Sequence, residues 1–280
     1  MLILELIRYK NCAMAGLAAV IGSAIAYSIA PGQIIWMLLV FLTVFLVTGA
    51  GNAVNDYFDA AIDAVNRPGR PIPSGRIRKE SVLRVSIVLF ASGIMIAYFI
   101  GQSLIPFSIA VFNSFLLFFY AYSLKKKVFV GNLSVAYLTG STFLFGGSAY
   151  GLTGVQVIFV LFFLSMLATL AREIVKAIED IEGDRKDGAL TLPILAGERR
   201  SAYIASAFGL IGVALSPLPY LMRLFNEYYL FAVLIADIVF LYAVALILRR
   251  RPSGSSKYFK VAMFLALLAF VAGSILNKIL

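Results

Sequence analysis

Asn52-Ala53-Val54-Asn55-Asp56-Tyr57-Phe58-Asp59-Ala60-Ala61-Ile62-Asp63 follows directly on Ile34–Gly51, an apolar run long enough to cross a bilayer. A helix entering from that run carries Asn55, Asp59 and Asp63 at i, i+4 and i+8. At ~100° per residue the three drift by only ~80°, so they form one stripe ~12 Å long. Asn52 joins it three residues earlier. Carboxylates at a membrane helix end are costly unless something positive pairs with them. Hard oxygen ligands suit Mg²⁺, which takes one or two carboxylates plus substrate phosphates. The basic, Pro-broken stretch Asn66–Arg78 stands immediately behind, and its arginines suit the phosphates themselves.

The 280-residue chain is 61% hydrophobic with a mean hydropathy of +0.94, and apolar runs of spanning length recur along it. These features predict an all-α polytopic membrane protein, multi-pass in the cell membrane. The N-terminus has no short apolar region closed by a small-residue cleavage site, so no cleavable signal is expected. Cys12 is the single cysteine, which excludes a disulfide framework and a multi-Cys metal site. There is no histidine, which removes His-ligated haem or zinc and any His general base. Acid–base and metal work therefore falls to Asp, Glu, Asn, Lys or Tyr.

Nine spans are predicted, at roughly 10–30, 34–64, 80–101, 104–124, 130–151, 154–184, 199–221, 225–249 and 257–278. The basic loops follow the even-numbered spans: Arg67–Arg84, Lys125–Lys127, Arg185–Arg200 and Arg249–Lys260. The alternate loops, such as Pro31-Gly32-Gln33, Gly101-Gln102-Ser103 and Gly151–Gly154, are short and almost uncharged. Of 24 Lys and Arg, only Arg223 and Lys278 fall on the poor side. The positive-inside rule then places the N-terminus in the cytoplasm. The net charge of +10 reads as topology and contact with membrane lipids, and no nucleic-acid partner is expected.

A second acidic segment closes the sixth span: Ala171-Arg172-Glu173-Ile174-Val175-Lys176-Ala177-Ile178-Glu179-Asp180-Ile181-Glu182-Gly183-Asp184-Arg185-Lys186-Asp187-Gly188. Glu173, Asp180, Asp184 and Asp187 share one helix face, with Lys176 beside them. Glu179 and Glu182 point elsewhere. Gly183 and Gly188 are places for the helix to loosen or end. Both acidic segments then sit at cytoplasmic helix ends, where they repel unless cations lie between them. A pair of Mg²⁺ ions holding a diphosphate satisfies both. The plainer reading is that each segment is a solvated helix end paired with nearby Lys and Arg.

Smaller features surround these. Arg8 and Asn11 open the first span. Tyr122 and Lys126 are spaced i, i+4 at the end of the fourth, so Lys126 is placed to reach a phosphate. The aromatic run Phe112–Tyr122 packs the bundle or walls an apolar tunnel. Asn113 and Asn132 are candidates for hydrogen bonds between helices. Asp237, deep in the eighth span, is an intramembrane acid with no partner cluster in its sequence neighbourhood.

At these residues the chain resembles the UbiA-type intramembrane prenyltransferases. The family's Asn-x-x-x-Asp-x-x-x-Asp is matched by Asn55, Asp59 and Asp63. Its Asp-x-x-x-Asp is matched by Asp180 and Asp184, and its Tyr-x-x-x-Lys by Tyr122 and Lys126. Within the family, three strings are most like the archaeal ether-lipid members: Glu5–Arg8 with Asn11–Gly16, Arg70–Gly75, and Arg172–Asp184. Two positions depart from the family pattern: Tyr9 stands where Pro is expected, and Ala177 where relatives often carry Asp.

The resemblance implies a single membrane domain over 1–280, with nine helices and an active site at the cytoplasmic side of the bundle. It also implies Mg²⁺ on Asn55, Asp59, Asp63, Asp180 and Asp184, and a polyprenyl diphosphate with a lipid acceptor as substrates. The expected reaction moves a geranylgeranyl group from its diphosphate to the hydroxyl of geranylgeranylglyceryl phosphate. Lys126, Arg67 and either Lys176 or Lys186 add charge at the diphosphate, and Arg172 belongs to the same motif. Arg8, Asn11 and Arg70 stand in the region of the acceptor's phosphate. Asp63 or pyrophosphate takes the hydroxyl proton. An aromatic acceptor is the close alternative. An ion-coupled transporter, from another class, fits intramembrane acids and broken helices but favours sites at the midplane.

Overall fold

The computed structural model describes residues 2–29, 32–186 and 188–276, without the side chains of Ile29, Ile275 and Leu276. Pro31, Asp187 and Lys278 lie outside the described residues. All regular structure among the described residues is helical. Eight helical segments are long and apolar enough to cross a membrane, as a polytopic membrane protein requires.

The chain divides into two compact units. The first comprises 1–124 and 142–158. It holds α1 (Leu2–Leu6), α2 (Tyr9–Ile29), α3 (Ile35–Asn66), α4 (Lys79–Tyr98) and α5 (Ile105–Tyr122). The second comprises 125–141 and 159–280. It holds the 3₁₀ turn Leu124–Lys126 from Lys125 onward. Two helices contribute residues to both units: α6 (Val130–Ser148) and α7 (Gly151–Glu179). The second unit continues with α8 (Ile181–Lys186), α9 (Leu192–Ala196), α10 (Glu198–Leu215), α11 (Leu218–Leu221), α12 (Glu227–Leu248) and α13 (Pro252–Leu276).

The expected fifth span forms as α6 but is not among the eight. Its Asn132, glycines, serines and threonines dilute the apolar run. The same small residues let backbones close on it. A Cβ on Gly146 would stand 2.0 Å from the Ala19 carbonyl oxygen, and one on Gly140 2.7 Å from that of Phe162. Helix contact in α6 has replaced apolar bulk.

The two longest helices are the two that carry the acidic segments. At 1.5 Å per residue, the 32 residues of α3 and 29 of α7 reach ~48 and ~44 Å, against a hydrocarbon thickness of ~30 Å. Each therefore exceeds the apolar layer by more than ~10 Å, enough length to leave a charged terminal turn outside it.

In the first unit Leu6, Ala53 and Val82 are buried together, with Tyr57, Ile72, Ile77 and Val85 packed on them. Ile72 and Ile77 belong to the basic loop, so the loop is anchored by apolar contact as well as by charge. In the second unit Leu170, Ile174 and Ile178 of α7 meet Ala205 of α10, Val244 and Ile247 of α12 and Phe259 of α13. That buried stripe leaves Glu173 and Asp180 together on an adjacent face.

Outside the spans, Arg76 donates Nη1 and Nη2 to the two Glu5 carboxylate oxygens at 2.7 Å each. This pair ties α1 to the basic loop, and the guanidinium holds the Glu5 carboxyl below its ordinary value. Its stabilising contribution is therefore complete above the unfolded glutamate value of about 4.3 and is lost as pH falls through the lower folded value. Hydrogen exchange of α1 is expected to quicken across that acid window in the native chain. In Glu5→Gln it should be insensitive to the same change.

Candidate functional site

The first unit gathers charged groups around the end of α3. Asn55 donates Nδ2 to Asp59 Oδ2 at 2.9 Å, so two hard oxygen-bearing side chains are neighbours at i, i+4. Asp63 is buried and takes an ion pair from Arg70 Nη1. Its backbone carbonyl accepts from Arg67 N at 2.8 Å, closing the helix. Acids in a last turn face the negative end of the helix dipole, so a returning cation is needed there. Arg70 supplies it. Arg67 itself is exposed.

Asp56 is the residue that the stripe reading missed. It is 5% exposed, and its Oδ1 accepts from Arg8 Nη2 at 2.5 Å and from Arg70 Nη1 at 3.2 Å. A signal was present: Asn52, Asp56 and Asp63, at i, i+4 and i+11, form a second stripe beside the first. Asn52 donates Nδ2 to the Ile7 carbonyl at 2.8 Å, and Cys12 Sγ donates to the same oxygen at 3.0 Å. Arg8 follows at φ 54, in the left-handed region that non-glycine residues rarely adopt. Asn11 is exposed in the first turn of α2.

The expected helical pairing of Tyr122 with Lys126 is replaced by a corner. Helix α5 ends at Tyr122, and Ser123 turns the chain into the 3₁₀ segment Leu124–Lys126. Tyr122 packs edge-on against Phe58, with centroids 5.5 Å apart. Phe58 also meets Phe118 at 5.6 Å, so part of the aromatic run lines the helix that carries Asp59.

In the second unit the helix is interrupted at Asp180, between α7 and α8, and Gly183 lies inside α8. Gly183 therefore does not loosen the helix; the break falls three residues earlier. Gly188, at φ 66, ends this segment as its sequence implied. Asp180 is exposed and Asp184 half-buried. The Asp184 N–H donates to the Asp180 carbonyl at 3.0 Å, which keeps the two acids one turn apart. Leu190 N donates to the Lys126 carbonyl at 3.2 Å, tying the Lys125–Lys127 turn to the chain that leaves α8. Lys126, Lys176 and Lys186 are exposed. Arg172 donates Nη1 to Glu173 Oε1 at 2.7 Å, and its buried Nε has no partner among the described residues.

Asp237 belongs to neither acidic segment. It accepts from Ser216 Oγ at 2.6 Å, and Tyr229 OH donates to the Ser216 carbonyl at 2.6 Å. The acid thus fastens the corner after α10 onto α12. Asp237→Ala is expected to strip Ser216 of its acceptor and cost about 1–3 kcal/mol, read as a lower Tm, with turnover per folded enzyme preserved. Asp237→Asn retains an acceptor oxygen and should cost less.

The donor chemistry fits a hard divalent cation. Asn55, Asp59, Asp180 and Asp184 offer only oxygen or amide groups, and the chain has no histidine. Among the described residues no three His, Cys, Asp or Glu side chains converge as a metal cage. Such an ion would draw its remaining ligands from substrate phosphates and water, as Mg²⁺ does.

Residues 15–268 match the family model described as the UbiA prenyltransferase family. The chain is 52% identical over 282 residues to digeranylgeranylglyceryl phosphate synthase of Methanosarcina mazei, covering 96% of this chain and 97% of that protein. A solved structure of digeranylgeranylglyceryl phosphate synthase in membranes matches with a TM-score of 0.87 at 42% identity, covering 98% of this chain and 97% of that one. A UbiA homologue from Archaeoglobus fulgidus, solved bound to GPP and Mg²⁺, matches with a TM-score of 0.64 at 15% identity, covering 97% and 99%. That last likeness is one of fold.

Proposed function

Because the chain belongs to the UbiA prenyltransferase family, we propose that it moves a geranylgeranyl group from its diphosphate to the free hydroxyl of geranylgeranylglyceryl phosphate. The allylic C1–O bond to diphosphate breaks, the C1–O bond to the glyceryl carbon's oxygen forms, and pyrophosphate and a proton leave. The observation that carries this reading is the 52% identity, over nearly the whole chain, to a digeranylgeranylglyceryl phosphate synthase. Arg8 and Arg70, two guanidinia brought to one carboxylate, support an acceptor bearing a phosphate.

The reading treats 1–280 as one membrane domain of nine spans, counting α6, with a cytoplasmic N-terminus and site. Asn55, Asp59, Asp63, Asp180 and Asp184 are assigned to hold Mg²⁺, which when bound stabilises the charge on the leaving pyrophosphate. Lys126, Arg67, Arg172, Lys176 and Lys186 add positive charge to the diphosphate region. Tyr122 packs on Phe58 and orients the approach beside Asp59. Arg8, Asn11 and Arg70 hold the acceptor's phosphate. Asp63 takes the hydroxyl proton if Arg70 yields it; otherwise pyrophosphate does.

The test is pyrophosphate release and product analysis with purified protein and geranylgeranyl diphosphate. Geranylgeranylglyceryl phosphate or 4-hydroxybenzoate serves as acceptor. A diether phosphate from the glyceryl acceptor alone is expected. Product from the aromatic acceptor alone would move the enzyme to a different pathway with the same fold.

A further inference from the structure

We propose that Asp56 is a positioning residue that sets Arg8 and Arg70 side by side as one two-guanidinium receptor for a phosphate monoester. The proposal rests on the acceptor assigned above and adds the residue that builds its phosphate site. One oxygen, Asp56 Oδ1, accepts from both arginines, at 2.5 and 3.2 Å. Two guanidinium nitrogens within reach of one atom are neighbours, and like charges hold that spacing only around a counter-charge. Asp56 is the shared one, and it is buried, so water does not screen it.

The two arginines come from separate loops. Arg70 belongs to the basic loop, where Arg70 N donates to the Arg67 carbonyl and Ser74 N to the Arg70 carbonyl, each at 3.0 Å. Arg8 lies between α1 and α2 in left-handed backbone, which is strained for a non-glycine residue and persists only where surroundings over-determine it. Here Asn52 and Cys12 both bind the preceding carbonyl, and Asp56 takes the side chain.

Each guanidinium has five N–H donors. Arg8 engages protein through Nη2 and Arg70 through Nη1; their other N–H groups meet no acceptor among the described residues. The side chains are 32% and 18% exposed, so those donors are held in place and reachable. Paired planar forks match a phosphate better than an isolated charge does. On α3, Asp56 stands ~60° around the helix from Asp59, so this receptor flanks the Asn55–Asp59 stripe and leaves it to the diphosphate.

The experiment is steady-state kinetics with each substrate varied in turn. Asp56→Asn should raise KM for geranylgeranylglyceryl phosphate by at least ~10-fold, while kcat and KM for geranylgeranyl diphosphate shift less than ~3-fold. Arg8→Gln and Arg70→Gln should raise the same KM. With geranylgeranylglycerol, which lacks the phosphate, Asp56→Asn and the native enzyme should show equal KM. If both arginine variants raise the acceptor KM and Asp56→Asn does not, positioning by Asp56 is overturned and the acceptor reading stands. If neither arginine variant raises it, the acceptor-phosphate reading fails instead. Should Asp56→Asn not fold, Asp56→Glu decides, since it keeps the charge and displaces the oxygen by one methylene. A raised acceptor KM at unchanged Tm is expected, and an unchanged KM overturns the proposal.

Discussion

Asp59→Ala is expected to lower turnover by at least about 10³-fold, with the folded protein intact, because the carboxylate proposed to hold the divalent cation at the leaving pyrophosphate is removed. The substitution is locally mild. Asp59 lies in the interior of α3, where Ala is the better helix former. Its bonded neighbour Asn55 stays behind as a neutral amide. Loss of activity would therefore report chemistry and not collapse. Asp180→Ala should behave alike for a different local reason: the residue is exposed at the interruption between α7 and α8, so its side chain supports no packing. Pyrophosphate release measures the loss, and size-exclusion and circular dichroism monitor the fold. Native activity in either variant removes that residue from the diphosphate site.

Withdrawal of divalent cation should be as severe. With EDTA in excess, product formation is expected to fall to background and to return when Mg²⁺ is restored. The cause is electrostatic. A diphosphate brought beside Asp59 or Asp180 meets like charge, and the exposed lysines and Arg67 are too well solvated to cancel it alone. A bound divalent ion reverses the sign of that local field. Oxygen donors of this kind favour hard cations such as Mg²⁺ over softer metals. An unaltered rate in EDTA would leave the acidic segments without their assigned purpose, and the basic residues would then have to hold the diphosphate unaided.

The membrane class, the helix sequence and the two acidic segments were legible because each depends on local information. A run of apolar residues is read along the chain, and the 3.6-residue period puts Asn55 beside Asp59 whatever surrounds them. Predicted and observed helices accordingly agree within a few residues for α2 to α5, while Asp180 and Asp184 of the second acidic segment fall at and beyond the end of α7. Errors collected where the chain leaves a helix. The 3₁₀ corner after Tyr122 and the break at Asp180 both follow from how the neighbouring chain is tied down, as in the bond from Leu190 to Lys126.

Partnership was the part that sequence left open. Arg8 and Asp56 are 48 residues apart, Ser216 and Asp237 are 21 apart, and no periodicity links either pair. Sequence by itself determined that this chain fills a membrane with helices and carries oxygen-rich stripes at the ends of its two longest ones. Only tertiary structure decided which carboxylates meet which cations. An ion pair depends on where loops return in space, and the burial that strengthens it is created by packing remote from either residue in the chain.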